Sequence, residues 1–171
     1  RAVEGDIIPF YSSVQYLNSL DGHSEDYWDL IDALFDLNHY IDYIIGESWM
    51  GNTDWPWNNI KIYRSDATNF RWRYCLIDQE LAMQPNGWTD AYFDHIEFMM
   101  NQDPTIPHIN IWLKGIQNQR FKNYFINRFA DIMNTSYQYE NISNIVSNMY
   151  ELTLDEMPNE FARWGDPNNI A

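Results

Sequence analysis

Cysteine, glycine, proline and basic side chains are all scarce in this chain of 171 residues. The lone Cys75 excludes an internal disulfide and any all-cysteine metal site. It sits in an apolar, strand-like run, which predicts a buried and inert thiol. The 7 glycines and 7 prolines gather into no tract, so the chain has no low-complexity linker and reads as one compact unit, residues 1–171. Only 10 Lys and Arg stand against 25 Asp and Glu, a net charge of −15. A nucleic-acid backbone needs a basic stripe that this chain cannot supply, and an anionic membrane surface repels it. No run reaches the roughly 18 apolar residues of a membrane span. The most apolar stretch, residues 40–50, carries Asp42 and Glu47. The opening Arg-Ala-Val-Glu has no signal-peptide pattern and reads as a processed or excised chain.

Aromatic residues, in contrast, are plentiful: 17% of the chain, with 8 Trp, 12 Tyr and 9 Phe. Such a composition excludes disorder. A helix is expected from Ser24 to Phe35, with Ser24 as its cap and Glu25 and Asp26 at the positive end of its dipole. Tyr40, Ile41, Ile44, Ile45 and Trp49 fall at helical spacing, which predicts a second helix over 37–50, ended by Gly51-Asn52. The period then changes to two. Residues 59–64 and 71–77 alternate like strands around the turn residues 65–69, a β-hairpin. Helices follow over 89–101, 109–116 and 119–133, then over 139–164 with a break at Pro158. The fold class is α+β and mostly helical.

The loop before the hairpin holds Asp54, Asn58 and Asn59 between Trp55 and Trp57. If the hairpin forms, Asn59 opens one strand and Asp78 closes the other, so both lie at the same end. Oxygen donors of this kind suit a hard cation with phosphate oxygens completing its shell. Asp54 and Asn59 also have the five-residue spacing of a phosphoryl-transfer loop, in which the Asp orients the nucleophile and the Asn holds metal, with a second metal-holding Asp further on. Alone, that spacing is a weak pattern in a chain rich in Asn and Asp.

Longer stretches carry more weight. Residues 40–64, with Gly51-Asn-Thr-Asp-Trp-Pro-Trp-Asn-Asn-Ile-Lys-Ile-Tyr-Arg64 at their centre, resemble the spore-coat CotH kinase family, as does Arg71-Trp-Arg-Tyr-Cys-Leu-Ile-Asp78. Residues 120–135 and 156–165 are similar to that family's closing helices, so the resemblance spans about 37–165. It implies a protein-kinase-like C-lobe whose hairpin carries the metal site, ATP with Mg²⁺ or Mn²⁺ as cofactors, and Ser-containing coat or surface proteins as acceptors. It also implies an exported, cell-surface or spore-coat location. Asp54 would be the catalytic carboxylate, with Asn59 and Asp78 as metal ligands. Glu80, a further candidate metal ligand, stands where members usually carry the second Asp of Asp-x-Asp. The first 36 residues hold no Lys and no glycine-rich loop, so the N-lobe is expected to be absent from this chain. These departures support an alternative, a catalytically inactive interaction module. A third reading is a carbohydrate-binding module using Trp55, Trp57 and Trp88.

Plainer roles are expected for other residues. Trp55 and Trp57 pack on the core, as do Tyr124, Phe125 and Phe129. The acidic runs 25–36 and 151–156 are solvated helix faces, and His23, His39, His95 and His108 lack zinc-ligand spacing. Arg64 and Arg73 pair with Asp78 or with phosphate, or form structural ion pairs. Glu47 lies near an apolar stripe, where a carboxylate needs a partner. It is therefore expected to be buried, bonded to the following loop, and bracing Asp54.

Overall fold

A computed structural model describes residues 4–79, 81–83 and 92–165. The chain divides into two compact units, Arg1–Phe129 and Ala130–Ala171. In order, the elements are helices α1 (Ile8–Ser19), α2 (Tyr27–Leu34) and α3 (Leu37–Met50), strands β1 (Lys61–Tyr63) and β2 (Arg73–Cys75), then α4 (His95–Met100), α5 (Pro107–Gln117), α6 (Gln119–Met133), α7 (Tyr139–Thr153) and α8 (Met157–Trp164). The chain is mostly helical, with one two-stranded antiparallel sheet among the described residues.

The first unit is built around α3, which buries Leu37, Tyr40, Ile41, Tyr43, Ile44 and Ile45. That pattern is wider than a single stripe, so α3 is central rather than peripheral. Gly51 ends it in the left-handed conformation (φ 63°), where a side chain would be strained. Beside α3 lies β2, whose inward residue Tyr74 stacks on Tyr43 with ring centroids 4.9 Å apart. Strand pairing sets Lys61 opposite Cys75 and Tyr63 opposite Arg73. A short 3₁₀ turn, Asp66–Thr68, closes the hairpin. The entry to α3 is tied to the start of β2: Trp72 N–H donates to Leu34 O (2.8 Å) and Asp36 N–H to Trp72 O (3.0 Å).

Ion pairs reinforce the same junction. Arg73 Nε donates to Asp36 Oδ2 (2.8 Å), while Arg71 reaches both Asp32 (3.1 Å) and Asp36 (3.6 Å). Asp36 is 7% exposed, so the acidic run 25–36 is not wholly a solvated face. Burial pushes its carboxyl upward, but the Arg73 hydrogen bond and the charges of Arg71 and Arg73 outweigh that and hold it below the usual carboxylate range.

Helix α1, which the sequence reading did not anticipate, packs on α5. Its signal was present: Pro9 in the first turn, then Phe10, Val14 and Leu17 at i, i+4 and i+7. Asn110 Nδ2 donates to Asn18 Oδ1 (3.2 Å) and Lys114 Nζ to Leu20 O (3.0 Å), fastening the two helices. Phe10 meets Phe35, Trp72 and His108 in one aromatic cluster.

Other expectations need adjusting. The second helix of the chain starts at Tyr27 rather than Ser24, and Ser24 caps nothing: its carbonyl accepts from Tyr27 N–H (3.1 Å) and Asn118 Nδ2 (2.8 Å) in a turn held by α5. Cys75 is half-buried, because strand alternation turns Tyr74 inward and Cys75 the other way. Helix α4 begins at His95, capped by Asp94, whose carboxylate accepts Glu97 N–H (2.9 Å); residues 89–91 of the expected helix lie outside the described residues. Phe125 is buried, whereas Tyr124 and Phe129 are half-buried. In the second unit, Tyr137 N–H donates to Ile132 O (2.9 Å) and Asn141 Nδ2 to Thr135 O (2.7 Å), joining the end of α6 to α7. The break between α7 and α8 falls at residues 154–156, just before Pro158.

Two tests follow from this packing. A Cβ at Gly115 would stand 2.8 Å from the Phe121 ring. Alanine ordinarily favours a helix by about 1 kcal/mol over glycine, but overpacking costs about 1–3 kcal/mol. Gly115→Ala should therefore lower stability by roughly 1 kcal/mol in urea unfolding, where an open helix site would gain. Tyr74 Oη lies 2.9 Å from His108 Nδ1, and burial lowers the His108 pKa to about 4. The unfolded ring takes its proton near pH 6.5, so stability is complete above that pH and is lost as pH falls towards 4. The loss should reach about 2 kcal/mol, allowing for the ring's partial exposure. His108→Gln should flatten this slope in urea titrations between pH 7 and 4.5.

Candidate active site

The loop that leaves α3 is shaped by short-range hydrogen bonds. Trp57 and Asn58 N–H both donate to Asp54 O (3.0 and 3.1 Å), closing a turn that begins at Asp54. Trp55 beneath it is 1% exposed and forms the floor, against Tyr43 and His95. Trp57 is 53% exposed, edge-on to Phe98, so of the two loop tryptophans only Trp55 is a core residue. The Trp55–Pro56 peptide bond is cis.

The Asp54 carboxylate is held on both oxygens. Asn58 Nδ2 donates to Oδ1 (2.8 Å) and Asn59 Nδ2 to Oδ2 (2.9 Å). Each oxygen keeps a lone pair for an incoming hydroxyl. Because Asn59 spends its amide nitrogen on Asp54, its carbonyl oxygen is left as a donor to a cation.

Asn59 lies two positions before Lys61 and Asp78 three positions after Cys75, the facing pair that ends the ladder. The hairpin therefore brings them to the same end, as the alternation predicted. Both also sit in the left-handed region, Asn59 at φ 55° and Asp78 at φ 54°. Asn and Asp tolerate this conformation better than most residues. Asn69, Phe70 and Met83 share that conformation, and such backbone persists where surrounding structure holds it. Asp78 is exposed, and no described residue donates a hydrogen bond to its carboxylate. The amide oxygen of Asn59 and the carboxylate of Asp78 are hard oxygen donors that fit Mg²⁺ or Mn²⁺ better than a softer metal. Glu80 and Trp88 lie outside the described residues. Among those described, no three His, Cys, Asp or Glu side chains gather as a metal cluster.

Of the roles open to Arg64 and Arg73, Arg73 takes the structural ion pair, and neither pairs with Asp78. Arg73 is bound to Asp36, and the Arg64 guanidinium lies over the Trp72 ring, 4.6 Å from its centroid. The strand direction accounts for this, since both stand towards the turn end of the hairpin or its α3 junction, away from Asn59.

Behind the loop, Glu47 is 1% exposed, and Asn52 Nδ2 donates to its Oε2 (2.8 Å). Asn52 Oδ1 in turn accepts Asp54 N–H (3.1 Å), so the expected brace from Glu47 to Asp54 exists, with Asn52 between them. Burial pushes the Glu47 carboxyl up, against the lowering effect of Asn52, Tyr43 and Gln79. Sequence reasoning missed Asn52 and Gln79. Asn52 lies in the loop expected to bond Glu47, five residues on, whereas Gln79 is 32 residues away and carries no sequence signal.

The family model described as CotH kinase protein matches residues 4–171. The chain belongs to the CotH kinase family. No curated protein matches it, and no solved structure does. The match takes in α1 and α2, ahead of the stretches on which the resemblance rests. No helix among the described residues is long and apolar enough to cross a membrane.

The Asn59 backbone and side chain can be separated experimentally. Asn59→Gly and Asn59→Ala both lose the bond to Asp54, but alanine alone resists the left-handed conformation. Asn59→Ala should be less stable than Asn59→Gly by about 1 kcal/mol in thermal unfolding; equal stabilities would remove the case for strain there.

Proposed function

We propose that this CotH family chain transfers the γ-phosphate of ATP to a serine hydroxyl of a coat or surface protein, on a protein-kinase-like C-lobe whose hairpin end carries the site. Family membership supports the kinase class. The observation that carries the residue assignment is the Asn59 Nδ2 to Asp54 Oδ2 bond of 2.9 Å, which joins the two residues of the five-residue spacing at the hairpin end where Asp78 also lies.

Asp54 orients the acceptor hydroxyl and takes its proton on a carboxylate oxygen. Asn58 and Asn59 keep that carboxylate aimed, and Asn59 and Asp78 hold Mg²⁺ or Mn²⁺, with Glu80 as a further ligand. The bound cation neutralises charge on the transferred phosphoryl group. Trp55 closes the floor of the loop and excludes water from one side of Asp54. Acceptors of this kind place the protein at an exported surface or spore coat.

Labelled ATP with Mg²⁺ or Mn²⁺ tests the proposal on the longest natural form of the protein. Label should appear on the protein or on a serine-rich peptide and vanish with EDTA. Asp54→Asn should slow transfer by roughly 100-fold or more, and Asp78→Ala should abolish it together with metal-dependent ATP binding. No transfer and no ATP binding by calorimetry would overturn the kinase reading in favour of an inactive interaction module.

A further inference from the structure

The end of α3 is already complete without its buried carboxylate. Gly51 takes the left-handed position and donates to Ser48 O (3.2 Å), and Asn52 N–H donates to Glu47 O (3.1 Å). Closing the helix therefore does not require a carboxylate at position 47, and burying one is costly unless its bonds accomplish something else. Those bonds lead to both halves of the candidate site.

On one side, Asn52 Nδ2 donates to Glu47 Oε2 (2.8 Å), while Asn52 Oδ1 holds the backbone N–H of Asp54 (3.1 Å). On the other, Gln79 Nε2 donates to Glu47 Oε1 at a longer 3.4 Å and to Ile77 O at 3.0 Å, on either side of Asp78. Asn52 Nδ2 also reaches Gln79 Oε1 (3.3 Å), closing a ring of three side chains. The backbone follows the same path: Ala82 N–H donates to Gln79 O (3.0 Å) and Met83 N–H to Met50 O (2.7 Å), which docks the segment after Asp78 onto the end of α3. From α4, His95 Nε2 donates to Asn52 O (2.8 Å) and locks the loop from behind.

We propose that Glu47, Asn52 and Gln79 form a clasp of positioning residues that sets the Asp54 loop and the Asp78 segment in register with each other. The proposal rests on the phosphoryl-transfer reading for its catalytic consequence, but not for its geometry. None of the three touches the reacting groups. Each oxygen of Glu47 takes one amide donor, so the ring requires one carboxylate and two amides. Within the ring, exchanging the carboxylate between positions 47 and 79 keeps every donor facing an acceptor; the exchange gives up the separate bond from position 79 to Ile77 O.

That symmetry supplies the test. Glu47→Gln sets amide against amide, and Gln79→Glu sets carboxylate against carboxylate, whereas the double variant Glu47→Gln/Gln79→Glu restores the ring of three side chains and lacks only the bond to Ile77 O. Backbone amide exchange of residues 52–54 and 82–83 should quicken about 10-fold or more in each single variant and return in the double variant. In the transfer assay, kcat should fall about 10- to 100-fold in the single variants at unchanged acceptor KM, and recover in the double variant. Singles that lose only thermal stability, with kcat per folded molecule intact, would overturn the clasp, as would a double variant no better than the singles. If exchange behaves as expected while the wild-type protein transfers no phosphate, the kinase reading falls and the clasp stands. If Glu47→Gln does not fold, Gln79→Leu, which removes one arm at a half-buried position, should give the same quickened exchange, and unchanged exchange would overturn the proposal.

Discussion

Burial of the Glu47 carboxylate at the C-terminal end of α3 is the constraint on which the arrangement of the candidate site depends. A carboxylate there faces three unfavourable conditions at once: it is sealed from water, it stands among apolar residues, and it meets the negative end of the helix dipole. Only hydrogen-bond donors can offset these: the side-chain amides of Asn52 and Gln79 do so, and Tyr43 beside them acts in the same direction. Because those two amides lie beside Asp54 and Asp78, satisfying Glu47 places the loop and the segment that carry the candidate site. A local electrostatic requirement thus becomes a tertiary one.

The other end of α3 shows the opposite balance. Asp36 is also buried, but it stands at the positive end of the dipole beside two guanidinium groups, and its carboxyl is lowered where that of Glu47 is raised. Asp36 fixes α3 to the start of β2, and Glu47 fixes it to the segment after β2. The hairpin is held along its length by one helix with a buried acid at each end. Two three-residue strands would be marginal by themselves. Their anchorage to α3 gives the Asn59–Asp78 end a defined position.

Much of this was legible in the sequence where local signals are strong. Helix α3 has the bounds its periodicity and Gly51 indicate, α6 has those of its own pattern, and the hairpin follows from alternation around turn residues. What the sequence hid is long-range. Ser24 has the chemistry of a cap, yet its carbonyl is engaged by Asn118 from α5, and the helix starts three residues later. Arg73 stands five positions before Asp78, so strand alternation turns it to the other face, and the α3 junction directs it to Asp36. Gln79 is 27 residues from Asn52, so no periodic pattern joins them. Glu47 could be singled out because a buried charge announces an obligation to be met. The residues that meet it could not, because an amide is unremarked wherever it falls.

The paired left-handed residues tie these points to the chemistry. A backbone held in that region by a loop alone would relax, since escape costs the loop little. Asn59 is held through Asp54, Asp54 through Asn52, and Asn52 through Glu47; Asp78 is held between Ile77 and Gln79, the latter on Glu47 again. The two strained positions therefore share one anchor. Displacing either costs bonds at that anchor. Positioning by a common buried group would preorganise the candidate site, which is what the proposed phosphoryl transfer requires of its protein.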